Sequence, residues 1–213
     1  MKIGFLIKVK NKFLNLERRF YLWRKRVRLK NKTPTIIANN CTAGVMYHDL
    51  GLKFNSPTVN LYFKAEDFLR FVENLESHLS LELEETESDL PYPVGMLGDV
   101  KIYFMHYKSF EEAKAKWEER SKRVDYDNIY IVMSEKEGFA QQLAEGFENL
   151  KYENKVLLTH RPMPQIKSSY YIRGFEDKEE LGVTTDFKNS FLQRRYIDDF
   201  DYAEFLNTGK IKQ

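Results

Sequence analysis

The sequence predicts an α/β fold: a mostly parallel sheet with helices on both faces, in Rossmann-like layering, preceded by a basic amphipathic helix. Three observations lead there. Short apolar, β-branched segments alternate with helical segments of about 10–15 residues, the rhythm of βαβ units. The 213 residues are 42% hydrophobic and 31% charged, a composition for a packed core and not for a disordered or polytopic membrane chain. Charge is segregated: residues 1–33 hold twelve Lys or Arg against one acid, Glu17, a net of +11, and the other 180 carry −9. Domain division follows that boundary, with a basic arm over 1–33 and a single α/β domain over 34–213.

In the arm, Phe13, Leu16, Phe20, Trp23 and Val27 recur at spacings of 3, 4, 3 and 4, which predicts one apolar face of a helix over 12–30. Arg18, Arg19, Arg24, Lys25, Arg26 and Arg28 surround it. An aromatic face with basic flanks suits an anionic membrane surface. It also suits docking on the chain's own domain or on a partner. Nucleic acid is not expected, because no RNA- or DNA-binding motif comes after the arm.

Pro34 ends the arm. Thereafter Thr35–Ala38 predicts a buried strand, Val45–Leu50 a short helix closed by Gly51, and Thr58–Phe63 a strand. Glu66–Ser80 predicts a helix with Phe68, Phe71, Val72 and Leu75 inward. The acidic residues 81–90 predict a solvated loop or edge. Val100–Tyr107 predicts a strand with Ile102, Phe104 and His106 on one face. Ser109 with Glu112 forms a capping box for a helix to about Val124. Strands over Ile129–Met133, Val156–Thr159 and Tyr170–Ile172 and a helix over Phe139–Leu150 come next, and the chain from Asp186 reads as mostly helical.

In such a sheet ligands collect where strands end and helices begin. That rule selects Asn39, Asn40, Cys41 and Gly44 after the first strand. Amide and small residues there let backbone approach an anion, and Cys41 is a candidate nucleophile or a small buried apolar group. His106 and His160, each at a predicted strand end, are candidates for a general base or a ligand-orienting group, against a structural role. In the helix after His106, Ala113, Trp117, Arg120 and Val124 place Arg120 in the apolar stripe. It then needs a carboxylate such as Asp99, carbonyl oxygens, or a bound anion. Four histidines and one cysteine without short ligand spacing predict no metal site. The single cysteine fits a reducing compartment, and no apolar run reaches the length of a spanning helix. Dinucleotide, Walker, nucleophile-elbow and zinc-protease motifs are all missing. No cofactor can be named from the sequence.

Ile36-Ile37-Ala38-Asn39-Asn40-Cys41 with Gly44 and Tyr47, Leu50-Gly51-Leu52, and Ser56-Pro57-Thr58-Val59-Asn60-Leu61 form an ordered series. Asp67-Phe68, Asn74-Leu75, Tyr92-Pro93-Val94-Gly95, Asp99-Val100, His106-Tyr107 and Ala113…Trp117…Arg120…Arg123-Val124 continue it. Over about residues 33–205 this series resembles a bacterial domain-of-unknown-function family labelled exopolysaccharide biosynthesis protein. One departure is Thr42-Ala43-Gly44, where relatives carry an aromatic residue and paired glycines. The resemblance implies a role in surface or capsular polysaccharide assembly and assigns no catalytic residue. The expectation is a protein at the inner face of a membrane or in the cytoplasm. As a transferase it would act on a nucleotide- or lipid-linked sugar. His106 and Cys41 would be catalytic, and Asn39, Asn40, Gly44, Arg120, Asp99 and His160 would bind a sugar-linked or phosphate-bearing molecule. The alternative is a non-catalytic protein that anchors a glycosyltransferase partner.

Overall fold

A computed structural model describes residues 2–188 and 193–212, with side chains in the first helix from Leu14 onward. Seven α-helices and seven strands appear among them: α1 Lys2–Arg28, β1 Thr35–Ala38, α2 Thr42–Leu50, α3 Ala65–Glu73, α4 Leu75–Leu79, β2 Glu84–Glu85, β3 Val94–Leu97, β4 Val100–Tyr103, α5 Phe110–Ser121, β5 Ile129–Ser134, α6 Gln142–Glu148, β6 Lys155–Thr159, β7 Ser169–Tyr171 and α7 Tyr202–Thr208.

The main sheet is parallel throughout, in the order β1-β5-β6-β7. Side chains alternate across it, because successive strand residues point to opposite faces. Ile37, Ile131, Met133 and Leu157 enter a core with α3, α5 and α6. Ile36, Ala38, Val132, Val156 and Leu158 enter a second core with α2, α7 and the C-terminal aromatics. Helix, sheet and helix layers result, as predicted, although the strand order runs in one direction across the sheet.

A second, antiparallel sheet, β2-β3-β4, lies within the long connection from β1 to β5. The predicted strand over Val100–Tyr107 belongs here and not to the parallel sheet, and it stops at Tyr103. Its hairpin turns on Gly98, at φ +63°, a left-handed conformation that glycine adopts without steric cost. Within the acidic stretch, Glu84 and Glu85 pair with Met96 and Gly95 as an edge strand.

Thr58–Phe63 is not a strand, and the reason lies at the edge of β1. The Thr58 hydroxyl accepts from Ala38 N–H at 3.0 Å, and the Tyr47 hydroxyl accepts from Ile36 N–H at 2.8 Å. Side chains thus satisfy the edge donors that a neighbouring strand would have used. Phe68, Phe71, Val72 and Leu75 are buried as the helical spacing requires, but the helix breaks at Asn74. Ser109 caps α5 by accepting from Glu112 N–H, and the Glu112 carboxylate reaches Lys108 N–H. Of the predicted C-terminal helix, the described residues contain a 3₁₀ turn at Tyr196–Asp199 and then α7.

The helix α1 packs on α2 and α7, and it does so by its charged side. Leu14, Arg18, Lys25 and Leu29 are buried, whereas Leu16, Phe20, Trp23 and Val27 stand 51–64% exposed. Phe13 of the predicted seam lies outside the described side chains. The Arg18 guanidinium donates to the Asp49 carboxylate at 2.6 Å and to that of Asp198, both almost fully buried. Lys25 Nζ lies 3.6 Å from Asp198 and 3.4 Å from the centre of the Tyr202 ring. Burial depresses the Lys25 ammonium pKa to about 8, with the nearby carboxylates opposing.

Candidate functional site

Three of the residues singled out by the strand-end rule do meet. Asn40, Cys41 and His106 line one cavity of about 260 Å³, together with Tyr62, Lys136, Glu137 and the Gly182–Thr185 segment. The cavity sits beyond the carboxyl ends of β1 and β5, the location at which parallel sheets present ligands.

Each wall has a structural cause. Asn40 Oδ1 accepts from Thr42 N–H at 3.0 Å and from its hydroxyl at 2.6 Å, an Asx turn that leads into α2. That helix directs its positive end toward the cavity rim. Tyr62 stacks on Tyr103 with centroids 4.5 Å apart and hydrogen-bonds Tyr92 through its hydroxyl, giving a fixed aromatic wall. His106 is exposed in the loop after β4. Leu181 N–H donates to the Glu135 carbonyl at 3.0 Å, which draws the 182–185 segment over the strand ends.

Glu137 is the residue the sequence reading missed. Its backbone is left-handed at φ +59°, unusual for a side chain with a Cβ, and Gly138 comes next at +80°. Such conformations cost about 1–3 kcal/mol and recur at functional sites. The strained turn is held by Ala65 N–H donating to the Glu137 carbonyl at 3.0 Å. Partial burial raises the Glu137 carboxyl pKa, with Lys136 opposing and Glu180 assisting. A signal was present: Glu135-Lys136-Glu137-Gly138 comes directly after a buried strand, where the strand-end rule applies as well as it does after Ala38.

Other candidates are committed elsewhere. The Asn39 amide is fully buried, with Nδ2 donating to the Ser134 carbonyl at 3.0 Å and Oδ1 accepting from Ser134 N–H at 2.9 Å. It clamps β1 to β5 and has no remaining role as a ligand contact. Gly44 faces Val59 and Asn60, not the cavity. Arg120 is buried as predicted, but its partners are the Tyr107 hydroxyl at 2.7 Å and the Val59 carbonyl at 3.3 Å. Asp99 is not its counterion. That residue sits in the β3–β4 turn against Arg70 and His78, 3.3 Å from each. The Cys41 thiol lies 3.9 Å from the Leu61 carbonyl, and burial pushes its pKa up, which opposes thiolate chemistry. His160 forms a second, separate pair: Glu135 Oε2 accepts from its ring Nδ1 at 2.7 Å and its backbone N–H at 2.8 Å. Both residues of that pair are buried, and His160 Nε2 meets no hydrogen-bond partner among the described residues. No group of three or more His, Cys, Asp or Glu suited to a metal occurs among them, and no described helix is long and apolar enough to cross a membrane.

Comparison with known proteins bears on this arrangement at the level of family. A model for the family described as a domain of unknown function (DUF1919) matches residues 12–207. The chain belongs to that family. A protein of Haemophilus influenzae, described as uncharacterized, is 40% identical over 195 residues, covering 91% of this chain and 94% of its own. The match begins at Lys12, so the family unit takes in most of α1 together with the body.

Proposed function

We propose that the chain is a transferase of surface-polysaccharide assembly, acting on a nucleotide- or lipid-linked sugar in the strand-end cavity. One observation carries the reading: His106, Lys136, Glu137 and Asn40 line one cavity of about 260 Å³. That is just below the usual range of about 300–1,000 Å³ for ligand pockets, so it would hold the sugar unit and leave the rest of the donor outside. Glu137 joins His106 as a candidate base. Its carboxylate lines the cavity, and partial burial raises its pKa, which strengthens it as an acceptor of a hydroxyl proton. The acceptor oxygen then forms its bond to the anomeric carbon as the bond from that carbon to the donor phosphate breaks. The phosphate leaves with the electron pair, the proton passes to Glu137, and the Lys136 ammonium and the α2 N-terminus offset the phosphate charge. Tyr62 supplies an apolar platform for the sugar face.

Thermal shift against nucleotide sugars, polyprenyl-phosphate sugars and acyl-coenzyme A tests the binding. A ligand at 100 times its dissociation constant adds about 2.7 kcal/mol of stability. Glu137→Gln should retain that shift and lose turnover by a factor of about 10²–10⁴. A flat response to every donor class overturns the transferase reading. It would favour the non-catalytic alternative, an accessory protein for a glycosyltransferase, which the structural commitments of Asn39, Arg120 and Cys41 also favour.

A further inference from the structure

The sequence gives α1 an apolar seam, and an isolated amphipathic helix would bury that seam on its own domain. Here the opposite side is buried. At about 100° per residue, Leu14, Arg18 and Lys25 centre on one side of the helix, and Leu16, Phe20, Trp23 and Val27 centre on the other. The rotation is fixed by specific bonds: Arg18 to Asp49 and Asp198, Arg26 Nε to the Asp49 carbonyl at 2.8 Å, and Arg28 to Asp201 at 3.0 Å. The aromatic face therefore cannot roll inward without breaking ion pairs in the interior. Phe20 and Trp23 stack on each other, centroids 5.6 Å apart, and each leaves more than half of its surface open to water.

We infer that this face is a docking surface for an anionic lipid bilayer. Charge selects the occupant. Exposed Arg19 and Arg24 flank the aromatic row on its two sides, and neither takes part in the ion pairs that hold Arg18, Lys25 and Arg28 to the body. A second copy would set the same cations against one another. Lipid phosphates would neutralise them, while Trp23 and Phe20 enter the region between headgroup and acyl chain. The buried ion pairs hold the helix along the body, so the helix lies in the plane of the bilayer and does not cross it. This inference is independent of the transferase reading.

The full-length protein tests it in co-sedimentation with vesicles of phosphatidylcholine alone and of equimolar phosphatidylcholine and phosphatidylglycerol. Binding to the mixed vesicles is expected, with little to the zwitterionic ones. It should weaken as salt rises from about 0.1 M to about 1 M, which shortens the screening length from about 10 Å to about 3 Å. The chain has two tryptophans, and Trp117 is already buried at 3% exposure, so a blue shift on binding reports Trp23. Phe20→Ser with Trp23→Ser should lower vesicle affinity by tenfold or more and leave unfolding unchanged, since neither side chain is buried. Arg19→Glu with Arg24→Glu should do the same through charge. Removal of α1 is the wrong variant, because it would strand Asp49 and Asp198 without their counterions. Equal partitioning of wild type and both double variants overturns the inference. So does an unshifted Trp23, or a dimer in solution that the Phe20/Trp23 variant converts to monomer.

Discussion

Arg18→Met removes the cation that holds α1 to the body, and its cost can be worked from the geometry. Arg18 bridges Asp49 and Asp198, whose side chains are only 1% and 2% exposed. Without it, Asp49 keeps the Tyr202 hydroxyl at 3.1 Å, the exposed His48 ring at 3.5 Å and a distant Arg195 at 3.6 Å. Asp198 keeps the Arg195 N–H at 2.8 Å and Lys25 at 3.6 Å. Neither set replaces a direct guanidinium. Breaking one buried pair from a single side costs about 3–5 kcal/mol, because a charge remains that water cannot reach. We expect a loss of about 4 kcal/mol in urea unfolding followed by circular dichroism. At about 2–4 °C per kcal/mol for a chain of this size, the melting temperature should fall by roughly 8–16 °C. Adding Asp198→Asn should recover part of the loss, since it removes one of the stranded charges. Phe20→Ser on the opposite side of the same helix should change stability by no more than about 0.5 kcal/mol. A loss below about 1 kcal/mol for Arg18→Met, or one matched by Phe20→Ser, would refute the reasoning. The helix would then be held by something other than its buried ion pairs.

Lys25 predicts a pH dependence. Its folded pKa of about 8 lies below the ordinary 10.5, so between these values the unfolded chain binds more protons and stability rises with pH. Asp198, Asp49, Asp201 and Arg18 surround it, together with the Tyr21 and Tyr202 rings. Urea unfolding from pH 8 to pH 10 should gain at most about 2–3 kcal/mol from Lys25, and the gain should vanish in Lys25→Met. Asn39→Ala should cost about 1–3 kcal/mol in urea unfolding, because the interior Ser134 N–H loses its partner, whereas the Ser134 carbonyl still accepts from Lys136 N–H at 2.8 Å. Cys41 should react more slowly with an aromatic disulfide reagent at pH 8 than a free cysteine does, since its thiol stays protonated. Cys41→Ser should cost less than about 1.5 kcal/mol.

Periodicity along the chain was enough to set the layers. Alternating short apolar segments and amphipathic stretches require strands buried on both faces with helices on either side, and β1, β5, β6 and β7 formed where that pattern placed them. The strand-end rule likewise located Asn40 and Cys41 beside the cavity, because chain order alone dictates which residues stand next to the end of a strand. Local pattern could not decide which partner a polar group would find. Arg120 looked like one half of an ion pair with Asp99, yet a phenol and a carbonyl brought from Tyr107 and Val59 satisfy it. Thr58–Phe63 had the residues of a strand, but the hydroxyl of Thr58 and that of Tyr47 had already closed the edge of β1. The decisive case is α1. Its periodicity marked Phe20 and Trp23 as the face to bury, since hydrophobic spacing is a local property. Asp49 lies 31 residues from Arg18 along the chain and Asp198 lies 180 away, and only folding brings both carboxylates to one guanidinium. Once they meet, the desolvated charges outweigh the exposed aromatics in setting the helix's rotation, and the apolar face is left to water.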